Sequence, residues 1–171
     1  MGAITFIGSI GVWDINVTTG LSKPVIGSAG APYMDLNSVN VTTESAGHLV
    51  FGVSDIGFTG DGGFSLNVGG TTGGTVSFVL WGSDADTYFT ADQCIACLGP
   101  FSGPAFSGTT GGTFDATGTF SLTLLGEITH TEAGVTSFDA EAKVPEPATL
   151  LLLGSGLIIL AGYGRKKFFK K

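Results

Sequence analysis

Residues 120–144 read FSLTLLGEITHTEAGVTSFDAEAKV, and apolar and polar side chains alternate along most of this stretch. A period of two is typical of β-strands that bury one face and expose the other. The even-numbered positions carry the apolar side chains, which are Phe120, Leu122, Leu124, Ile128, Phe138, Ala140, Ala142 and Val144. Two such runs, separated by a turn at residues 131–134, predict an antiparallel hairpin.

Similar but shorter runs occur in the preceding part of the chain. They cover residues 4–10, 13–17, 39–43, 49–53, 64–68 and 76–81. Clusters of Gly, Pro, Asp and Thr separate them, and no stretch of the body has a sustained helical period. We therefore predict an all-β body, an antiparallel, jelly-roll-like β-sandwich of about eight strands. The repeated Gly-Thr-Thr-Gly-Gly-Thr at 70–75 and 108–113 predicts two turns, and residues 99–104 predict a loop.

Charge divides the chain into two parts. Residues 1–144 contain 13 acidic and 2 basic residues, a net charge of -11, whereas residues 145–171 contain one acid and five bases, a net charge of +4. An acidic body of this kind repels a phosphate backbone, so a nucleic-acid partner is excluded. The length of 171 residues allows one domain with an appendage and excludes a large multidomain enzyme.

The basic end follows an uncharged segment, residues 148–164, which reads ATLLLLGSGLIILAGYG. As a helix it would extend about 25 Å, close to the roughly 30 Å of a bilayer core. Its membrane-anchoring aliphatic side chains are Leu150, Leu151, Leu152, Leu153, Leu157, Ile158, Ile159 and Leu160. We predict one transmembrane helix in the lipid bilayer rather than a buried core helix, the alternative, because a group of cations follows it directly.

Three of these cations, Arg165, Lys166 and Lys167, form the predicted stop-transfer group. The tendency of basic residues to stay in the cytoplasm places the tail 165–171 there and the acidic body on the other side of the membrane. Export to that side requires a signal, and residues 1–6 lack the basic region of a signal peptide. We therefore expect the natural chain to begin upstream of the sequence considered.

Pro145, Glu146 and Pro147 stand between the body and the predicted helix. Each proline holds the residue before it in an extended conformation, so Val144 and Glu146 are kept out of a helix, as a protease substrate requires. The alternative reading is that the prolines only mark a domain boundary. The predicted organisation is an exported domain at 1–143 and a C-terminal signal at 144–171, made of the tripeptide 145–147, the helix 148–164 and the tail 165–171.

Tripeptide, apolar span and basic tail together resemble the PEP-CTERM sorting signal of Gram-negative envelope and secreted proteins, a region also labelled an ice-binding protein C-terminal domain. The resemblance covers only the chain from Val144 onward. It implies transient recognition by exosortase, a membrane-embedded cysteine transpeptidase, with processing near residues 144–147. It also implies an inner-membrane-anchored precursor, a mature form at the cell surface or outside the cell, and an association with exopolysaccharide or biofilm. Ice binding itself is not expected, because the body lacks a solenoid repeat.

Few residues of the body suggest chemistry. Cys94 and Cys97 are the only cysteines, and outside the cytoplasm they either form a local disulfide or remain two thiols. The acidic loop formed by Asp84, Asp86 and Asp92 is either a calcium site or simply solvated. The same two alternatives apply to the pair Asp55 and Asp61. No catalytic motif appears, so we predict no enzyme activity, no cofactor and no metal.

Three functions remain open. The first is a non-enzymatic envelope or matrix protein delivered by exosortase. The second is a carbohydrate-binding module for surface polysaccharide, with stacking aromatics drawn from Trp13, Tyr33, Trp81 and Tyr88. The third is an enzyme of unrecognised type, which a pocket with convergent polar groups and shifted pKa values would support.

Overall fold

The computed structural model describes residues 2–145, which form ten β-strands and contain no helix. The strands are β1 (Ala3–Ile10), β2 (Trp13–Leu21), β3 (Tyr33–Thr43), β4 (Gly47–Phe58), β5 (Gly62–Thr72), β6 (Thr75–Ser83), β7 (Gln93–Ser102), β8 (Phe106–Phe114), β9 (Phe120–His130) and β10 (Gly134–Lys143). The prediction of an all-β body is confirmed. The predicted transmembrane helix at 148–164 lies outside the described residues.

The strands form two antiparallel sheets. One has six strands in the order β1-β2-β3-β10-β5-β8, and the other has four in the order β4-β9-β6-β7. From β3 onward the chain changes sheet at each connection except that from β6 to β7, which gives the two four-stranded layers of a jelly roll. The hairpin of β1 and β2 extends one layer beyond the free edge of β3.

The predicted hairpin of residues 120–144 is wrong, although its two strands are real. β9 pairs with β4 and β6, whereas β10 pairs with β3 and β5 in the other sheet. Both apolar faces point into the same core, so the two strands face each other across the sandwich. Alternation determines which face of a strand is buried but does not determine its hydrogen-bonded neighbour.

Strands β7 and β8 were not predicted. β7 contains two bulges, one near Ile95 and one near Pro100, which break the period of two. β8 has glycines at two of its inward positions, 108 and 112. A Cβ on Gly112 would lie 1.9 Å from the carbonyl oxygen of Ile95, so glycine allows β8 to approach β7 closely. Residues 99–104 and 108–113 are therefore mostly strand rather than loop and turn, whereas the first glycine repeat does contain the turn between β5 and β6.

The core lies between the sheets and contains the apolar side chains that the alternation of residues 120–142 assigned to it, whereas those of the run at 4–10, among them Ile4, Phe6 and Ile10, are exposed. Phe58, Phe120 and Phe138 are among its largest fully buried side chains. Phe138 contacts Phe78 edge-to-face with ring centroids 4.9 Å apart, which joins β10 to the opposite sheet. Full burial of a side chain of this size contributes about 1.5–3 kcal/mol. The side chains at the alternate positions of these strands face the outer surfaces of the two sheets.

Candidate functional site

The outer face of the six-stranded sheet carries a row of polar side chains from four adjacent strands. β10 lies between β3 and β5, and its register places Glu141 opposite Asp35 on one side and opposite Asn67 on the other. Thr109 of β8 continues the row, because it is the register partner of Asn67. Residues that are far apart in the sequence therefore come together on one surface.

The neighbouring row contains a gap. Asp139 is the register partner of Gly69, which in turn is the partner of Ser107. Gly69 has no side chain, and a Cβ added there would meet its nearest atom, the carbonyl oxygen of Phe106, at 3.9 Å. The gap opens a groove of about 550 Å³ along the sheet surface.

Glu141 is the centre of the hydrogen bonds in this groove. Its Oε2 accepts a bond from the Tyr33 hydroxyl at 2.8 Å, and its Oε1 accepts bonds from Asn67 Nδ2 at 3.0 Å and Lys143 Nζ at 2.8 Å. Burial acts to raise the pKa of Glu141, but these bonds and the Lys143 charge outweigh it and hold that pKa below its usual value. The bond to Glu141 is also the main cause that raises the pKa of Tyr33 to about 12. At neutral pH Glu141 is a carboxylate and Tyr33 is a neutral donor.

Asp35 shows the opposite effect. Partial burial raises its pKa, and the negative charges of Asp139 and Glu141 raise it further. A hydrogen bond from Asn37 Nδ2, at 3.4 Å, acts in the other direction. The groove therefore concentrates negative charge that is only partly compensated.

Two further cavities continue the groove across the sheet. A cavity of about 410 Å³ shares Gly69 and Asp139 with the first, and one of about 270 Å³ shares Asn16 and Asn40 with the second. We call these three connected cavities the outer furrow. It crosses all six strands, from Thr109 on β8 to residues 7–9 on β1.

The four candidate stacking aromatics do not come together. Trp13 is 2% exposed and belongs to the core, so its predicted stacking role is wrong. Trp81 is partly exposed on the outer face of the other sheet, in a mainly apolar cavity with Val50. Tyr88 is exposed in the connection between β6 and β7. Only Tyr33 of the four lines the outer furrow.

Cys94 and Cys97 flank the bulge near Ile95. Because the bulge places Ile95 and Ala96 on the buried side, both cysteines are exposed on the other side, with their sulfur atoms 2.22 Å apart. The pair lies on β7, the edge strand of its sheet. The disulfide remains a prediction.

The carboxylates of the acidic loop hold neighbouring loops in place. Asp84 accepts hydrogen bonds from the backbone and side chain of Thr117, Asp86 accepts one from the Gly57 amide, and Asp92 accepts one from Ser83. In residues 2–145 no group of three or more His, Cys, Asp or Glu side chains is arranged to hold a metal ion.

Asp55, the other calcium candidate, has protein partners. It accepts hydrogen bonds from Ser22 at 2.7 Å and from Lys23 at 2.9 Å. Burial acts to raise the pKa of Asp55, but these bonds and the Lys23 charge outweigh it and lower that pKa. The Lys23 ammonium also lies 3.9 Å from the centre of the Phe58 ring. The contacts fix the connection between β2 and β3 against β4.

The two histidines have no common site. His48 is exposed and its Nε2 lies 2.7 Å from a Glu127 carboxylate oxygen. His130 is 2% exposed, and its Nε2 lies 2.8 Å from the hydroxyl of Thr136. Burial lowers the pKa of His130.

Sequence reasoning did not single out the furrow carboxylates as a site. Asp139 and Glu141 were recognised only as outward positions of a strand, and the first half of β3, with Asp35, was not predicted at all. Two acidic side chains at successive outward positions, 139 and 141, are the signal that was available. Their partners on β3, β5 and β8 depend on the strand order, which alternation does not give.

The chain leaves the sandwich from the end of β10. The Val144 amide donates a hydrogen bond to the Pro32 carbonyl at 3.2 Å, its side chain packs against the core, and Pro145 is exposed. Glu146, Pro147, the anchor residues 150–160 and the cations 165–167 lie outside the described residues. Between residues 2 and 145 there is no helix of the length and apolarity needed to cross a membrane.

Comparison with known families matches residues 143–167 to a PEP-CTERM protein-sorting motif. The chain carries this sorting motif. No curated protein matches the chain. Among solved structures, isomalto-dextranase of Arthrobacter globiformis T6 complexed with panose aligns with 82% of this chain and 23% of its own, at 12% identity and a TM-score of 0.27. The chain thus spans less than a quarter of that enzyme, and a likeness of this degree identifies neither fold nor activity.

The position of the PEP-CTERM motif agrees with the geometry of the chain exit. The motif begins at Lys143, the last residue of β10, and continues into the exposed Pro145. It therefore overlaps the sandwich by one strand residue and by the core contact of Val144. The motif supports a surface protein sorted by exosortase.

Proposed function

We propose that the chain is an exported, non-enzymatic surface protein that exosortase processes at its C-terminal signal. The observation that carries the proposal is the PEP-CTERM motif, attached directly to the end of a folded domain. In this proposal the apolar segment anchors the precursor in the inner membrane, and processing near residues 145–147 delivers the acidic body to the cell surface or the extracellular matrix.

The exit geometry explains how such processing would spare the body. β10 is central in its sheet, between β3 and β5, and its pairing with both ends at Lys143. In residues 2–145, the last backbone hydrogen bond to the sandwich is that from Val144 to Pro32. A cut after this point leaves all ten described strands in the body.

Substitution in the tripeptide tests this step. In a host that contains exosortase, with the chain exported, we expect Glu146→Ala to block processing and leave the full-length mass. Glu132→Ala is the matched control, because Glu132 is an exposed acid in the turn before β10, and it should be processed like the wild type. Processing of the Glu146→Ala protein at the wild-type position would contradict the proposal.

We further propose that the body binds exopolysaccharide in the outer furrow. The furrow is a long, shallow, polar surface lined by amides, hydroxyls and carboxylates with one aromatic ring, Tyr33, and such groups hydrogen-bond the hydroxyls of sugar chains. The hydrogen bonds to Glu141 hold its carboxylate and the Tyr33 hydroxyl in fixed positions along the furrow.

Filling the gap at Gly69 tests the binding surface. A threonine is accommodated there without a backbone clash and should lower the affinity for the polysaccharide of the producing cells at least tenfold, or about 1.4 kcal/mol. Gly63→Thr is the control, because Gly63 also lies on β5, has no atom within 4 Å of an added Cβ and does not line the furrow. Affinity electrophoresis of both variants provides the measurement, and equal retardation of both would contradict the assignment.

A further inference from the structure

The outer furrow has the form of a site for a chain rather than for a compact ligand. Its three cavities are joined through shared residues, first Gly69 and Asp139, then Asn16 and Asn40. It crosses six strands, which at roughly 4.8 Å between neighbours corresponds to about 24 Å. A linear polymer of several sugar units can lie along it.

Amide side chains recur along this path. Asn67 lies in the first cavity, whereas Asn16 and Asn40 lie where the second cavity meets the third. Each amide offers a donor and an acceptor, the combination that a sugar hydroxyl can use in both directions. The amides therefore suit a ligand that carries several hydroxyl groups.

The charge of the furrow restricts that ligand further. In the described part of the chain, the residues that line the furrow include four carboxylates and no lysine or arginine. These carboxylates are Asp14, Asp35, Asp139 and Glu141. The nearest cation, Lys143, is bonded to Glu141, and the body as a whole carries a net charge of -11 over residues 1–144. A polymer of uronic acids would be repelled along its length, whereas a cationic polymer would be attracted.

We propose that the outer furrow binds a linear amino-sugar polymer whose free ammonium groups lie against Asp35, Asp139 and Asp14. This assignment rests on the proposed polysaccharide-binding function and names the ligand class for the same site. The hydroxyls of the sugar chain bond to the asparagine amides, and the open space at Gly69 admits a ring between Asp139 and Ser107.

Calorimetric titration of the protein with a glucosamine hexamer and with its fully N-acetylated counterpart tests the proposal. We expect the hexamer with free amines to bind at least tenfold more tightly, and its affinity to fall with added salt because exposed charge pairs are screened. Equal affinity for the two hexamers would overturn the charge assignment but leave polysaccharide binding intact. If neither hexamer nor the polysaccharide of the producing cells binds, both proposals fail.

Two charge variants locate the site. Asp139→Asn removes a furrow carboxylate and should weaken binding of the glucosamine hexamer about fivefold, the size expected for one solvent-screened charge pair. Asp115→Asn removes the same charge from an exposed position between β8 and β9 and should have little effect. Equal losses in the two variants would mean that only the overall charge matters, which would overturn the assignment.

Discussion

At the scale of single residues, His130 joins two connections that cross between the sheets. Its ring meets Trp13 edge-on at 5.2 Å and bonds to Thr136, whose hydroxyl lies 2.7 Å from that of Thr72. The histidine is therefore buried in neutral form, among side chains that carry no compensating negative charge. Protonation is easier in the unfolded chain than in the folded one.

This difference predicts a pH dependence of stability. The pKa of His130 is lowered from 6.5 in the folded state, so the free energy of unfolding should fall as the pH falls through about 6.5 toward the folded-state pKa. Each unit of pKa difference corresponds to about 1.4 kcal/mol. His130→Gln should remove this pH dependence. It should also lower the free energy of unfolding by about 1–3 kcal/mol at neutral pH, because it disturbs a buried hydrogen bond.

Urea unfolding at several pH values measures this effect. His48→Gln is the control, because His48 is exposed, and this variant should keep the wild-type pH dependence. If the free energy of unfolding of His130→Gln still fell between pH 7 and pH 6, another group would be responsible for the pH dependence.

Individual residues of the furrow were only partly predictable. The period of two placed Asp139 and Glu141 on the outward face of β10, and the structure confirms this placement. A bulge in β3 opposite Asp139 changes which positions of that strand face the core. The even-numbered Met34 and Leu36 are buried before the bulge, and the odd-numbered Val39 is buried after it. A pattern search finds only the half of β3 that follows the bulge, and therefore misses Asp35.

At the scale of elements, strand order was the part that the sequence could not supply. β9 and β10 were both recognised, but a short turn between two alternating runs fits a hairpin and a crossing between sheets equally well. The glycine repeat shows the same limit. Its first copy contains the turn between β5 and β6, whereas its second lies within β8, where close contact with β7 requires the glycines.

The bulged edge strand β7 carries the predicted disulfide. A bridge between Cys94 and Cys97 closes a very short loop, so the chain-entropy relation gives a stabilisation of at most about 2 kcal/mol. We expect protein purified from an oxidising compartment to resist alkylation until it is reduced, and the double Cys→Ser variant to fold with this modest loss. Mass measurement before and after reduction provides the test, and two freely alkylated thiols in the native sample would contradict the bridge.

At the scale of the whole molecule, the charge division of the sequence matches the structural division. The described sandwich ends at the point where the sorting motif begins, and it contains all of the acids except Glu146. Processing at the tripeptide would separate a body of net charge -11 from a segment of net charge about +4. The overall charge of -7 then describes only the precursor.

The intact mass of the protein recovered from the cell surface tests the central claim most directly. The chain should be produced, with export, in two otherwise identical strains, one with exosortase and one without. We predict a body that ends within residues 145–147 in the first strain and a full-length, membrane-bound chain in the second. Identical C-terminal masses in the two strains would contradict the account.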